Sequence, residues 1–313
     1  MKKITIIALV LIIISCSSKQ KFISEQNQEP INYIPYYLKV YEADSLFTLK
    51  DYQGSCKILD DLFKKYEAKN TVSFYEYGTY LASCLMTGNT ENIDIKVKKS
   101  YRDFGVLVVL GLDSQKHIDD LIKLSKITTS EIEELKKEYL NSLNQPLISK
   151  LTQMLNEDQS VRIDYSPDGM VFYEKKHKKE LDSIFLSSGY PSVKELGQDI
   201  FFDMNNIKST IPHFEAIIIH ISKEANKEGF EELNNKLNPY LKNGTCAPHD
   251  YATYYDSNLW VTKNQQKYGT IGGQDIEKTL PLLNPKKIDS IRKSVGLPSK
   301  NYLIWRDKIN YGD

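Results

Sequence analysis

The sequence predicts a mainly α-helical protein, with helical hairpins in its N-terminal half followed by a mostly helical domain with a small β-hairpin. Three observations support this fold class. Apolar residues recur every three or four positions over residues 34–144, which is the periodicity of helices packed on one face. Asn144-Gln145-Pro146 interrupts this pattern, because a proline restricts the residue before it. Alternation of apolar and polar residues, typical of strands, appears near residues 259–270.

The first sixteen residues predict export and lipidation. Lys2 and Lys3 precede an apolar run from Ile4 to Ile14, which is shorter than the roughly 20 residues of a membrane-spanning helix. Ile13-Ile14-Ser15-Cys16 resembles the lipobox of bacterial lipoproteins, in which cleavage precedes a cysteine that carries diacylglycerol. We therefore expect residues 1–16 to be a lipoprotein signal peptide with a lipidated Cys16, which makes the membrane a partner of the protein.

Residues 17–33 predict a flexible tether, because they are polar, rich in Ser, Lys, Gln and Asn, and without periodicity. The anchor implies a location in the bacterial cell envelope. Ser17 favours the outer membrane over the inner, since the resemblance to lipoproteins implies retention at the inner membrane where an aspartate follows the cysteine. Lys plus Arg and Asp plus Glu both number 41, and this balance gives no electrostatic basis for binding nucleic acid.

Residues 34–145 predict a domain of helical hairpins. Two apolar stripes flank a turn at 50–54, and a weaker pair of helices covers residues 74–104. Two further helices follow, one beginning near Ser114 and one at the capping-box spacing of Thr128 and Glu131. The first stripe contains Tyr37, Val40, Tyr41, Asp44 and Phe47, and the second contains Cys56, Leu59, Leu62, Phe63 and Tyr66.

These hairpins resemble a degenerate tetratricopeptide repeat. In that family a helix-turn-helix unit stacks on its neighbours and presents a concave surface, so the resemblance implies a protein partner for this half of the chain. The residues that carry the resemblance are Ala43, Leu46, Tyr52, Ser55, Leu59 and Leu62.

Three cysteines remain besides Cys16, so an exported protein keeps at least one free thiol. Cys56 and Cys84 both lie in predicted helices. They are either buried small hydrophobic residues or a disulfide formed in an oxidising compartment. Cys246 lies in a predicted turn, and no nearby pattern of histidine and acid indicates a nucleophile.

Residues 146–313 predict a second domain, because helical spacing gives way to a mixed pattern after Pro146. Glycine and proline mark most of its turns. Its expected elements are a helix at 147–162, a loop at 165–169, a charged helix at 175–188, an apolar helix or buried strand at 214–221, a β-hairpin at 259–270 and a last helix at 285–294.

A set of short motifs in this half resembles the DUF6624 family. Asp158-Gln159 with Arg162 is similar to the Asp-Gln-x-x-Arg signature that opens the family, and His220 matches its histidine after an apolar run. Asp256 and Gln266-Lys267-Tyr268-Gly269-Thr270 match later motifs in the same order. The family has no established activity, so the resemblance implies a domain rather than a reaction. Further matches are Gly189-Tyr190-Pro191, Gly197, Asp289, Arg292 and Gly296-Leu297-Pro298.

The chain also departs from the DUF6624 pattern. Ser257 stands where the family has an arginine, and Ile219 and Ile271 each replace a glutamine. If the family's site is catalytic, these departures imply a binding domain instead. The candidate ligand or catalytic residues carried over are Asp158, Gln159, Arg162, His220, Asp256, Gln266 and Tyr268.

Each candidate has a structural and a functional interpretation. Arg162, one of only four arginines, lies one helical turn after Asp158. It is either half of a surface pair or an arginine directed into a pocket. His220 follows three isoleucines and is either a hydrogen-bonded core histidine or a general base. His213 and His249, with the acids near them, match no zinc or calcium spacing, so neither a metal nor another cofactor is expected.

The sequence leaves two functions open. The first is a lipid-anchored envelope protein that acts as an interaction or ligand-binding module. The second is an envelope hydrolase in which His220 is the base, Asp158 or Asp256 orients it, and Arg162 with Gln159 holds an anionic group. Convergence of these side chains at one site that solvent reaches would favour the enzyme.

Overall fold

The fold is that of a computed structural model, which describes residues 31–71, 74–111, 113–198, 212–272 and 280–311. The predicted signal peptide, Cys16 and all of the predicted tether before residue 31 lie outside the described residues. All the helices described belong to one compact unit, Tyr33–Asp313.

The N-terminal half contains six helices in its described part, with breaks close to the predicted ones. Asp51 caps the second helix by accepting a hydrogen bond from Gly54 N at 2.9 Å. Thr128 and Glu131 form the predicted capping box, which confirms the start of the sixth helix. The six are α1 (Ile34–Thr48), α2 (Tyr52–Phe63), α3 (Glu76–Met86), α4 (Ile93–Phe104), α5 (Ser114–Ser125) and α6 (Thr129–Ser142).

The first hydrophobic core lies among these helices. Consecutive helices pack as neighbours, α1 on α2 and α2 on α3, which is the arrangement of helical hairpins. Tyr36, Leu59 and Leu81 are fully buried between them. Cys56 of α2 and Cys84 of α3 form a disulfide. Of the two alternatives that the sequence left open, buried free thiols or a disulfide, the structure has the disulfide.

The second half continues the helical fold. Asn144 caps the next helix by accepting from Leu147 N at 3.2 Å, as the break at Pro146 predicts. The helix expected at 175–188 begins earlier, because Ser166 caps it and Pro167 occupies its first position. The elements are α7 (Gln145–Ile163), α8 (Pro167–Ser188), α9 (Val193–Leu196), α10 (Glu215–Glu224), α11 (Lys227–Asn243), α12 (Pro248–Lys263), a 3₁₀ turn (Pro285–Lys287), α13 (Ile288–Lys293) and α14 (Tyr302–Tyr311).

The mainly α fold class is confirmed, and the predicted β-hairpin is wrong. Residues 259–263 are the last turn of α12, which ends where Asn264 adopts a φ of 49°. Within the described ranges no strand forms, and the only β-type contact is an isolated parallel bridge between Gln266 and Leu282. No helix in those ranges is both long and apolar enough to cross a bilayer.

The helical state of residues 259–263 has a tertiary cause. Asn258 is buried and donates through Nδ2 to Ser222 O at 2.7 Å and Ala225 O at 3.0 Å, which anchors this part of α12 to the end of α10. Leu259 is buried and Trp260 is exposed because the helix packs on one face. Residues 260–263 are all exposed, so burial does not alternate here. The expected strand rests on the residue types Leu-Trp-Val-Thr, whose preference for strands is overridden by the contacts of Asn258.

The chain folds around two hydrophobic cores. The first contains residues of α1–α6 and Tyr302 of α14, and the second contains residues between Leu147 and Leu297. The change of core coincides with the predicted boundary at residue 146. Polar contacts cross this boundary, since Asn70 Nδ2 in the first half donates to Gln198 Oε1 in the second half at 2.9 Å. Independent folding of residues 146–313 stays a prediction, and the return of α14 to the first core gives that prediction a specific test.

Candidate functional site

The first group of candidate residues lies on α7. The buried residues Leu147, Leu151 and Met154 recur every three or four positions, and Asp158 takes the next position of that stripe. Asp158 is therefore a carboxylate with only 1% of its surface exposed. A buried charge is costly unless it is paired and hydrogen-bonded, so the neighbours of Asp158 determine its state.

Three side chains hydrogen-bond to Asp158. Arg162, one turn later, donates through Nε to Oδ2 and through Nη2 to Oδ1, both at 3.2 Å. His220 of α10 places Nδ1 2.8 Å from Oδ2, and Gln159 donates through Nε2 to Oδ2 at 2.8 Å. The structure thus brings together four of the seven predicted residues.

Glu174 of α8 completes this group, although no sequence pattern predicts it. Its Oε1 accepts from Arg162 Nη2 at 3.1 Å, so one guanidinium joins carboxylates from two helices. The contact depends on how α8 packs against α7, and local spacing therefore gives no signal for it. We define the Asp158 cluster as Asp158, Gln159, Arg162, Glu174 and His220.

The two carboxylates of the Asp158 cluster have pKa values shifted in opposite directions. Burial alone would raise the pKa of Asp158, but the hydrogen bonds from His220 and Arg162 outweigh it and lower that pKa below its ordinary value. Burial raises the pKa of Glu174, and the hydrogen bond from Arg162 offsets this only in part. Asp158 is therefore a lasting negative charge, whereas Glu174 takes up a proton more readily.

The Asp158 cluster reaches solvent. The side chains of Arg162 and His220 are 24% and 18% exposed. In the part of the chain that the structure describes, neither Arg162 Nη1 nor His220 Nε2 takes part in a hydrogen bond. Asp158 fixes the imidazole through Nδ1, so Nε2 is the ring nitrogen that can contact a bound molecule, and Arg162 Nη1 is a donor on a side chain that the same carboxylate holds.

The other three predicted residues, Asp256, Gln266 and Tyr268, form a separate group that holds a loop. Asp256 of α12 accepts from the backbone nitrogens of Lys267 at 2.7 Å, Tyr268 at 2.9 Å and Thr270 at 3.0 Å. These backbone donors, all from one loop, satisfy the hydrogen-bonding capacity of the buried Asp256 carboxylate. Across the described ranges, no hydrogen bond or ion pair joins this group to the Asp158 cluster.

The same loop is fixed from two further directions. Gln266 donates through Nε2 to Leu280 O at 2.7 Å and accepts from Ile271 N at 3.1 Å. Arg292, another DUF6624-like position, donates through Nη1 to Tyr268 O at 2.7 Å. Gln266 and Arg292 therefore hold the backbone of the loop, Tyr268 contributes its own backbone groups to these contacts, and the sequence motif marks a folded loop here.

The described residues also bring together three metal-ligating side chains, those of Glu157, His177 and Glu180. This group contains neither His220 nor Asp256. No zinc or calcium spacing in the sequence marks it, because Glu157 comes from α7 and the other two come from α8.

Comparison with known proteins finds no matching family model, no matching curated protein and no matching solved structure. The resemblances to the DUF6624 family and to the tetratricopeptide repeat therefore stay predictions. Function has to follow from the site itself. A carboxylate-oriented imidazole beside an arginine can bind an acceptor group or act as a general base. No Ser, Thr or Cys among the described residues hydrogen-bonds to His220, so water or a group on the ligand would be the nucleophile.

Proposed function

We propose that the protein is a lipid-anchored component of the bacterial cell envelope that binds a small ligand at the Asp158 cluster. The observation that carries this proposal is that one buried carboxylate, Asp158, fixes two partly exposed side chains, Arg162 and His220. Arg162 Nη1 is a donor, and His220 Nε2 is a donor whenever the imidazole carries both protons, so the two side chains suit a ligand with acceptor oxygens, such as a carboxylate or phosphate group.

The anchor and a protein partner form the second part of this proposal. Lys2 and Lys3, the apolar run after them and Cys16 support lipid attachment, and Ser17 supports the outer membrane. The helical half supports a protein partner, because a groove of about 730 Å³ opens there between α1 and α14, with Tyr41 and Trp305 in its wall. None of the residues that line this groove belongs to the Asp158 cluster.

A hydrolase is the second candidate, and the contact between Asp158 and His220 favours it. When Nδ1 of a neutral imidazole donates to a carboxylate, the lone pair on Nε2 is free to take a proton from water. Asp158, rather than Asp256, would then orient the base. Arg162 would stabilise developing negative charge, and His220, once it holds the proton from water, would give that proton to the leaving group.

Calorimetric titration of the purified chain with inorganic phosphate, acetate and citrate tests ligand binding. We expect Arg162→Gln and His220→Gln to weaken the binding of at least one of these probes by about tenfold or more, since each removes a nitrogen that would contact the oxygens of the probe. His249→Gln is the matched control, because His249 is exposed and lies outside the cluster. Equal binding by all four proteins, or no binding of any probe, would contradict the ligand proposal.

Hydrolysis of p-nitrophenyl acetate and p-nitrophenyl phosphate tests the enzyme candidate. Turnover that is lost in His220→Gln and retained in His249→Gln would favour the hydrolase over the binding module. Turnover that both variants retain would contradict a catalytic role for His220.

A further inference from the structure

A second cluster of ionisable side chains joins α7 to α8. Glu157 of α7 and His177 and Glu180 of α8 each place one metal-ligating atom within 4.8 Å of the other two. His177 Nε2 already lies 3.0 Å from Glu157 Oε2. His177 and Glu180 are three residues apart on one helix, so they project from the same face of α8.

Two polar atoms of this group are buried without a hydrogen-bond partner in the described part of the chain: His177 Nδ1 and Glu180 Oε2. The side chain of His177 is 0% exposed. A buried polar atom without a partner destabilises the fold, and in native proteins such atoms usually face an ion or an ordered water. Glu180 Oε2, a buried acceptor without a partner that lies close to an imidazole and a second carboxylate, therefore indicates a bound species.

We propose that Glu157, His177 and Glu180 bind a Zn²⁺ ion. One imidazole nitrogen and two carboxylate oxygens form a three-residue donor set that zinc accepts, with water as the fourth ligand. Mg²⁺ and Ca²⁺ prefer sites in which every donor is oxygen, so the histidine selects against them. Zinc ligands lie about 2.0–2.2 Å from the ion, so the three side chains have to close slightly around it.

Two lysines compete with the ion for the same carboxylates. Lys176 Nζ lies 2.7 Å from Glu157 Oε2, and Lys150 Nζ lies 2.6 Å from Glu180 Oε1. Lys150 leaves Glu180 Oε2 free for a metal, whereas Lys176 contacts the same Glu157 oxygen as His177. Both lysine side chains are about one-third exposed, so Lys176 can turn into solvent when zinc binds. An ion that displaces Lys176 binds more tightly once that ammonium group is removed.

The position of the group defines what the ion would do. Glu157 precedes Asp158 in sequence, and α8 carries Glu174, which contacts Arg162. A zinc ion between α7 and α8 therefore fixes the two helices that also hold the Asp158 cluster. Its role is structural, and it does not depend on the function of that cluster.

Equilibrium dialysis of the purified, chelator-stripped chain against ZnCl₂, followed by metal analysis and thermal melting, tests the proposal. We expect one Zn²⁺ per chain and a higher melting temperature with zinc, and no such rise with Mg²⁺. His177→Gln and Glu180→Gln are expected to weaken zinc binding tenfold or more, whereas His249→Gln, at an exposed histidine, leaves it unchanged. Lys176→Gln is expected to strengthen zinc binding several-fold.

The lysine variant separates a metal site from an ion-pair network. If the group is only a network, Lys176→Gln lowers the melting temperature and leaves zinc binding unchanged, which would overturn the proposal. Wild-type zinc binding in both His177→Gln and Glu180→Gln would show adventitious surface binding and overturn it as well. If His177→Gln fails to fold, Glu180→Gln and Lys176→Gln still decide the question, since both leave the buried histidine in place.

Discussion

Arg162 holds the Asp158 cluster together, because its planar guanidinium reaches Asp158 and Glu174 at the same time. Lysine keeps the charge but cannot make these paired hydrogen bonds. We expect Arg162→Lys to lower the free energy of unfolding by about 1–3 kcal/mol, and the same change at exposed Arg102 to lower it by less than about 0.5 kcal/mol. Urea denaturation of both variants at pH 7 measures the difference. Equal values would make Arg162 part of an ordinary surface pair.

Asp158 makes the stability of the fold sensitive to acid. Its folded pKa lies below the unfolded value of about 3.9, so its contribution is complete above that value and is lost as the pH falls through the folded pKa. The raised pKa of Glu174 acts in the opposite direction, because its contribution is complete below the unfolded value and is lost as the pH rises through the folded pKa. The two effects therefore have to be separated by mutation.

We expect Asp158→Asn to lower the melting temperature at pH 7. We also expect the melting temperature of this variant to fall less than that of the wild type between about pH 5 and pH 2. Asn keeps the shape of the side chain but has no charge to lose. Asp164→Asn, at the exposed end of α7, is the control and should keep the wild-type acid dependence. Thermal melts across this range make the measurement. A wild-type slope in Asp158→Asn would show that Asp158 does not contribute as a charge.

Cys16 is the residue on which the predicted anchor depends, since the lipid of a bacterial lipoprotein is attached to the cysteine of the lipobox. We expect Cys16→Ser to abolish labelling by radioactive palmitate and to leave the signal peptide uncut. Cys246→Ser is the control and should keep both the label and the cleavage, because Cys246 is buried in the folded part of the chain. Palmitate that still enters the Cys16→Ser protein would contradict the anchor.

The Cys56–Cys84 disulfide is the covalent link between two elements, α2 and α3, and closes a loop with a sequence separation of 28. A disulfide that closes a loop of this size stabilises a fold by about 3 kcal/mol. We expect dithiothreitol to lower the melting temperature of the wild type and to have no effect on Cys56→Ala/Cys84→Ala. Thiol counting on the denatured, lipidated protein should give one reactive group, Cys246. Three reactive thiols, or a wild-type melting temperature that dithiothreitol does not change, would contradict the disulfide.

Local signals in the sequence predict where helices begin and end. The capping box at Thr128 and the break at Pro146 both mark real helix starts, because caps and prolines act on the backbone beside them. The spacing of Asp158 and Arg162 likewise predicts a contact along α7, since positions four apart share a helix face. These features depend only on neighbouring residues.

Contacts between elements cannot be read from local spacing. Glu174 meets Arg162 only because α8 packs back on α7, and Asp256 turns to the 266–270 loop rather than to His220. The false hairpin has the same origin, because the contacts of Asn258 with the end of α10 keep residues 259–263 helical, although local residue types predict a strand. The seven predicted site residues therefore separate into two groups that only the tertiary structure distinguishes.

At the scale of the whole molecule, the two cores raise the question of how many folding units residues 33–313 contain. Tyr302 of α14 donates to Tyr41 O at 3.0 Å and to Asp44 Oδ2 at 2.7 Å, both in α1 of the N-terminal half. The C-terminal helix α14 therefore packs on the first core, although the second core is nearer to it in sequence. The second core, between Leu147 and Leu297, does not include it.

This arrangement predicts how the C-terminal half behaves alone. We expect residues 146–313 to unfold in one cooperative transition around the second core, with α14 unprotected from hydrogen exchange, because its packing surface on α1 is missing. A shorter fragment, 146–298, lacks α14 and should melt within a few degrees of the longer one, since α14 adds nothing to the second core. Circular dichroism melts and amide exchange on both fragments make the comparison. An aggregated product or a non-cooperative melt for both would mean that the contacts across residue 146, such as that between Asn70 and Gln198, are needed for either half to fold.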